Sequence, residues 1–113
     1  MPLHLRSSKE DDVVVVQVDG ELDIATAADL WSHLSRWIEA GEIQILIDCA
    51  ALTFLDCSGI TTLVRCLRMV RALGGWMRLC QVSTRVLELL TITGLASVFL
   101  DEHEMREAIA GGD

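Results

Sequence analysis

The sequence predicts an α/β domain: a small mixed sheet of about five strands with about four helices packed on it, in the order β-β-α-β-α-β-α-β-α. Three observations lead there. Short runs rich in Val and Ile, at Val13 to Val18 and Ile43 to Ile47, have strand character. Longer stretches between them place apolar residues at helical spacing, and Gly-containing breaks divide the two kinds. Strands that alternate with helices imply parallel pairs and right-handed crossovers after an initial hairpin. The 113 residues are expected to form one domain, residues 1–113, whose tail frays from about 110.

Each element has its own signal. Leu3-His4-Leu5-Arg6 alternates weakly and reads as an edge strand, and Ser7 to Asp12 reads as a polar turn. Val13 to Val18 completes a first hairpin over residues 3–18, and Asp19-Gly20 ends it. Thr26-Ala27-Ala28-Asp29 has the form of a capping box, with Thr26 as N-cap and Asp29 at the third helical position. The helix runs to about Ala40 before Gly41, and Trp31 is expected in its core face with Leu34 and Ile38. Glu42 to Asp48 reads as a buried strand, and residues 49–57 as a loop. A second helix from about Ser58 to Leu73 turns Ile60, Leu63, Val64, Leu67 and Val70 inward and Thr61, Arg65, Arg68 and Ala72 outward. Gly74-Gly75 breaks it, and Trp76 to Val82 is the next strand. Ser83 caps a helix through Leu90, Ser97 to Leu100 reads as a short strand, and Asp101 to Glu104 caps a last helix to about Ala110.

Composition narrows the function. The net charge of −8 argues against nucleic acid, which needs clustered Lys and Arg. Arg65, Arg68, Arg71 and Arg78 do cluster, but they read as a solvated helix face. No apolar run approaches the roughly 20 residues of a membrane span, and no hydrophobic signal core opens the chain. A cytoplasmic protein without direct membrane insertion is expected. Cys49, Cys57, Cys66 and Cys80 match no zinc spacing or CxxC pair, and His4, His33 and His103 are scattered. Neither a metal nor a cofactor is expected. The chain also lacks GxSxG, the P-loop pattern and GxGxxG, so catalysis by this chain is not expected.

The most informative stretch is Phe54-Leu55-Asp56-Cys57-Ser58-Gly59-Ile60, where a loop becomes a helix. The first helical N–H groups lack intrahelical partners and carry partial positive charge, which suits a phosphate on Ser58. Position alone favours Ser58 as an N-cap, the commoner role for such a serine. Cys57, near the same helix start, could be redox-sensitive for the same electrostatic reason.

Three motifs in order resemble the STAS domain of the anti-sigma factor antagonist type, over nearly the whole chain. They are Gly20-Glu21-Leu22-Asp23 ahead of Thr26-Ala27; Asp48 with Thr53 to Ile60; and Thr93-Gly94-Leu95. The resemblance implies a STAS-type fold and no enzymatic activity. It also implies an antagonist that binds an anti-sigma factor and so releases a sigma factor. That partner would be a serine kinase of the histidine-kinase-like ATPase fold. Phosphorylation at Ser58 would switch the antagonist off, and a serine phosphatase would reverse it. Cys57 stands where the family commonly has a second serine. The implied partner surface comprises Asp23, Thr26, Asp56, Cys57, Ser58, Gly59, Thr61, Thr62 and Arg65, with Thr61 and Thr62 as secondary acceptors. A monomer is expected. The alternative is an accessory or scaffold module of a transport or stress-signalling complex that lacks phospho-switching. The lack of appended segments favours the free-standing antagonist.

Overall fold

The protein's computed structural model describes residues 2–111. Strands β1 (Leu3–Glu10) and β2 (Val13–Leu22) form an antiparallel hairpin, followed by helix α1 (Ala27–Glu39) and strand β3 (Gln44–Asp48). Strand β4 (Leu52–Leu55) precedes helix α2 (Cys57–Ala72), strand β5 (Trp76–Cys80), and helices α3 (Thr84–Ile92), α4 (Ala96–Phe99) and α5 (Glu102–Gly111). The sheet order is β1-β2-β3-β5, with β3 parallel to β2 and β5 parallel to β3. β4 also pairs in parallel with β2, beyond the end of β3. Residues 14–17 of β2 therefore face β3, whereas residues 20–22 face β4.

The α/β class and the mixed sheet agree with expectation; several local readings do not. Ser7 to Glu10 is strand rather than turn, because a two-residue turn suffices: Asp11 takes a left-handed conformation (φ 56°) and Glu10 pairs with Val13. Residues 52–55 form a strand instead of part of a loop. Both middle residues, Thr53 and Phe54, are exposed, so this strand lacks the alternation that would have announced it. Residues 97–100 do not form a strand. The Leu95 carbonyl accepts from the N–H groups of Val98 and Phe99, closing one helical turn that drives Phe99 and Leu100 into the core. β5 stops at Cys80 because Gln81 adopts φ 58° and turns the chain out of the sheet, its N–H donating to Glu104 Oε2 at 3.1 Å. The last helix continues through Gly111, and the rest of the expected frayed tail lies outside the described residues.

One core unites the elements. Val14, Val16, Val18, Ile45, Ile47, Met77 and Leu79 are buried on alternate strand positions, and Leu30, Leu34 and Ile38 of α1 pack in the same cluster with Ile60, Leu63, Leu67 and Val70 of α2. Val15 and Leu46 between them, and Trp76 before Met77, are only half-buried, and Gln17 and Arg78 are exposed. β3 is thus not enclosed on both faces as its Ile-rich sequence suggests. Trp31, expected in the core, is half-buried between α1 and α2, with the Arg65 guanidinium 3.9 Å from its ring centre. Ser83 and Asp101 cap their helices as expected, accepting from Val86 N–H (3.2 Å) and Glu104 N–H (2.8 Å).

Candidate functional site

The site is assembled where β2 and β4 end side by side. Asp56 N–H donates to the Leu22 carbonyl (3.2 Å), which ties the start of α2 to the turn after β2. Gly59 makes this approach possible. A Cβ there would lie 2.7 Å from Leu22 Cγ and Leu55 Cδ1 and 2.9 Å from the Leu22 carbonyl oxygen, so a side chain would have to push the two segments apart.

Asp56, and not Ser58, is the N-cap of α2. It has extended backbone, and its Oδ1 accepts from Ser58 N–H (2.9 Å) and Gly59 N–H (3.1 Å). This corrects the capping alternative for Ser58: the aspartate two residues earlier already satisfies the donors. Ser58 is the second helical residue, half-buried, and among the described residues its hydroxyl has no hydrogen-bond partner. The same arrangement modifies the electrostatic expectation. The Ser58 and Gly59 N–H groups that would favour a phosphate are engaged by a carboxylate, which itself would repel one.

The turn after β2 is built by a second aspartate. Asp23 Oδ1 accepts from Ala25 N–H (2.9 Å) and Thr26 N–H (3.1 Å). The Thr26 hydroxyl donates to the Glu21 carbonyl (2.7 Å) and accepts from Asp23 N–H (3.0 Å). Thr26 precedes α1 but makes no side-chain cap, so the expected Thr26/Asp29 capping box does not form. It is also buried, so it shapes the turn from below instead of facing outward.

The remaining candidates follow α2. Cys57 is exposed at the first helical position, and Thr61 and Arg65 are exposed along the helix with Thr62 half-buried. The Thr61 hydroxyl donates back to the Cys57 carbonyl (2.8 Å), and Arg65 lies over Trp31. Two apolar side chains stand outside the expected partner surface. Ile24 is 81 % exposed at the tip of the Asp23 turn, and Phe54 is 48 % exposed just before Asp56. The signal for Ile24 was an isoleucine inside a turn, outside every periodic stripe.

The other three thiols are more enclosed, Cys49 and Cys66 buried and Cys80 half-buried. Burial pushes Cys66 up to about 12 and Cys80 up to about 11, and raises the fully buried Cys49 still further. Among the described residues, no cluster of three or more His, Cys, Asp or Glu side chains is placed to hold a metal ion. No helix of the described residues is long and apolar enough to cross a membrane.

Comparison with known proteins gives the same picture. The anti-sigma-B factor antagonist of Bacillus subtilis is 26 % identical over 98 residues, covering 87 % of this chain and 89 % of that protein. An anti-sigma factor antagonist from Mycobacterium paratuberculosis superposes with a TM-score of 0.80 at 22 % identity, covering 97 % of this chain and 93 % of its own. The Bacillus cell fate determinant SpoIIAA, solved in its phosphorylated form, superposes with a TM-score of 0.69 at 22 % identity over 96 % of this chain and 99 % of that one. The STAS domain model matches residues 4–110, almost the entire chain, and the protein belongs to the STAS domain family.

Proposed function

We propose that this protein is an anti-sigma factor antagonist that binds an anti-sigma factor acting also as its serine kinase, and that phosphorylation of Ser58 switches the binding off. The observation that carries the reading is the state of Ser58. Its hydroxyl has no partner among the described residues, while the neighbouring Asp56 does the work of capping the helix. The names of the relatives supply the partner class. The kinase is of the histidine-kinase-like ATPase fold, a serine phosphatase restores the free hydroxyl, and the antagonist acts as a monomer.

The physics of the switch is local. A phosphate adds about 1.5 to 2 negative charges at neutral pH. It would stand two residues from the Asp56 carboxylate, beside the segment that carries Asp23. The new charge makes the surface strongly anionic without requiring the domain to refold, and it brings repulsion and desolvation cost to any partner contact formed over Ser58. The partner surface in this reading is the crest formed by the exposed Ile24, Cys57, Thr61 and Arg65 with half-buried Ser58, and Asp23 and Asp56 fix its shape.

The test is the intact mass of protein from its native cells before and after phosphatase treatment, with the site mapped by fragmentation. A single phosphatase-sensitive phosphate on Ser58 is expected. With the partner in hand, Ser58→Glu should weaken binding by about tenfold or more, about 1.4 kcal/mol, and Ser58→Ala should bind but resist switching. Ser58→Glu binding as tightly as the unmodified chain would count decisively against the switch.

A further inference from the structure

The sheet contains a vacant row. β3 and β4 lie on the same side of β2, one after the other, and β5 flanks β3. A strand flanking β4 would therefore continue the row of β5. The chain does not supply it: Gln81, at φ 58°, turns away immediately after Cys80 and leads into α3. Among the described residues β4 pairs only with β2, and no hydrogen bond joins it to α3. What remains between them is a groove of about 310 Å3.

The lining matches a strand's requirements. All four β4 residues contribute, as they would along a strand edge, and Val86, Leu89 and Ile92 form the opposite, helical wall. Ile92 is 82 % exposed and Phe54 48 %, so apolar side chains stand at both walls. Arg85 and Glu88 also line the groove, with opposite charges, so it favours neither sign in an occupant. An open sheet edge offers backbone N–H and C=O groups at the spacing of a strand, and the apolar helical wall offers a seat for alternate side chains. Phe54 links the groove to the proposed partner surface along the chain: it lines the groove and stands two residues before Asp56, the N-cap of α2.

We propose that the slot between β4 and α3 receives an extended apolar segment of the anti-sigma partner, which adds to β4 as a further strand. This rests on the antagonist reading and extends its interface from the crest over Ser58 to the far side of β4. An added strand anchors the partner through main-chain hydrogen bonds away from the phosphorylation site, so phosphorylation acts on one part of a two-part interface.

The test places the photo-reactive residue p-benzoylphenylalanine at Ile92 in one full-length variant and at Thr61 in another, cross-links in native cells, and maps both products. It also measures residue-resolved amide exchange of the full chain, free and with the partner trapped at Thr61. We expect both positions to reach the same polypeptide, exchange at the β4 amides to slow at least tenfold in the complex, and Ile92→Asp to weaken binding about tenfold with unchanged melting temperature. The added strand is overturned if Thr61 reaches the partner while Ile92 reaches nothing or a second copy of this chain. It is equally overturned if β4 exchange is unchanged or if Ile92→Asp binds normally. If neither position cross-links an anti-sigma factor, the antagonist reading itself fails, and the added strand with it.

Discussion

Helices α1 and α2 start with similar residues and put them to different use. Each start has an aspartate followed within three residues by a hydroxyl side chain: Asp23 with Thr26, and Asp56 with Ser58. In both, the aspartate Oδ1 gathers two backbone N–H groups of the following turn. The hydroxyls then diverge. That of Thr26 is buried and bonded at 2.7 and 3.0 Å to backbone groups of Glu21 and Asp23, whereas that of Ser58 has no partner among the described residues. Spacing accounts for the difference. Thr26 lies three residues after its aspartate, before the helix, and folds back under the turn. Ser58 lies two residues after, already inside the helix, with its side chain on the crest. The comparison shows that an aspartate cap can leave a neighbouring hydroxyl available for chemistry.

The comparison can be broken by substitution. The largest effect should come from Thr26→Val, which keeps the volume but removes the hydroxyl that accepts from Asp23 N–H and donates to the Glu21 carbonyl. A loss of about 1–3 kcal/mol is expected in chemical denaturation, and a stable Thr26→Val protein would remove the structural role assigned to this hydroxyl. Asp56→Ala should cost about 0.5–2 kcal/mol, the usual range for a lost N-cap, and should raise amide exchange at Ser58 and Gly59 above that elsewhere in α2. Ser58→Ala should leave stability within about 0.5 kcal/mol; a greater loss would mean the serine is structural after all. The mildest probe is chemical. Cys57, exposed at the start of α2, should be alkylated first under native conditions, with buried Cys49 and Cys66 protected until unfolding. Simultaneous labelling of all the thiols would contradict the packing around α2.

These elements also mark what the sequence could reveal. The second helix was legible because Ile60, Leu63, Leu67 and Val70 repeat at helical spacing and the glycines after it stop it. The candidate site was legible as a location only to the extent that two of its motifs, at Gly20 to Asp23 and Thr53 to Ile60, meet at the ends of β2 and β4. Its internal division of labour was not. Asp56 and Ser58 are both good N-caps by type, and only the register of the first helical turn decides between them. β4 was hidden because it is four residues long and exposes two adjacent side chains, and α4 because Val98 and Phe99 have strand propensity that tertiary burial of Phe99 overrides. Trp31 was placed in the core by periodicity, but the cation of Arg65 lies on another helix, which no local pattern discloses.

The Trp31–Arg65 stack has a practical consequence. The protein has three tryptophans and no tyrosine, so its ultraviolet emission is dominated by indole, and of the three only Trp31 lies under the guanidinium of an α2 residue on the proposed partner surface. A partner carboxylate that draws Arg65 off the ring changes the polarity at that indole at the moment of docking. The molecule thereby carries a label-free optical reporter beside its own switch, and association could be timed by stopped-flow without attaching a dye.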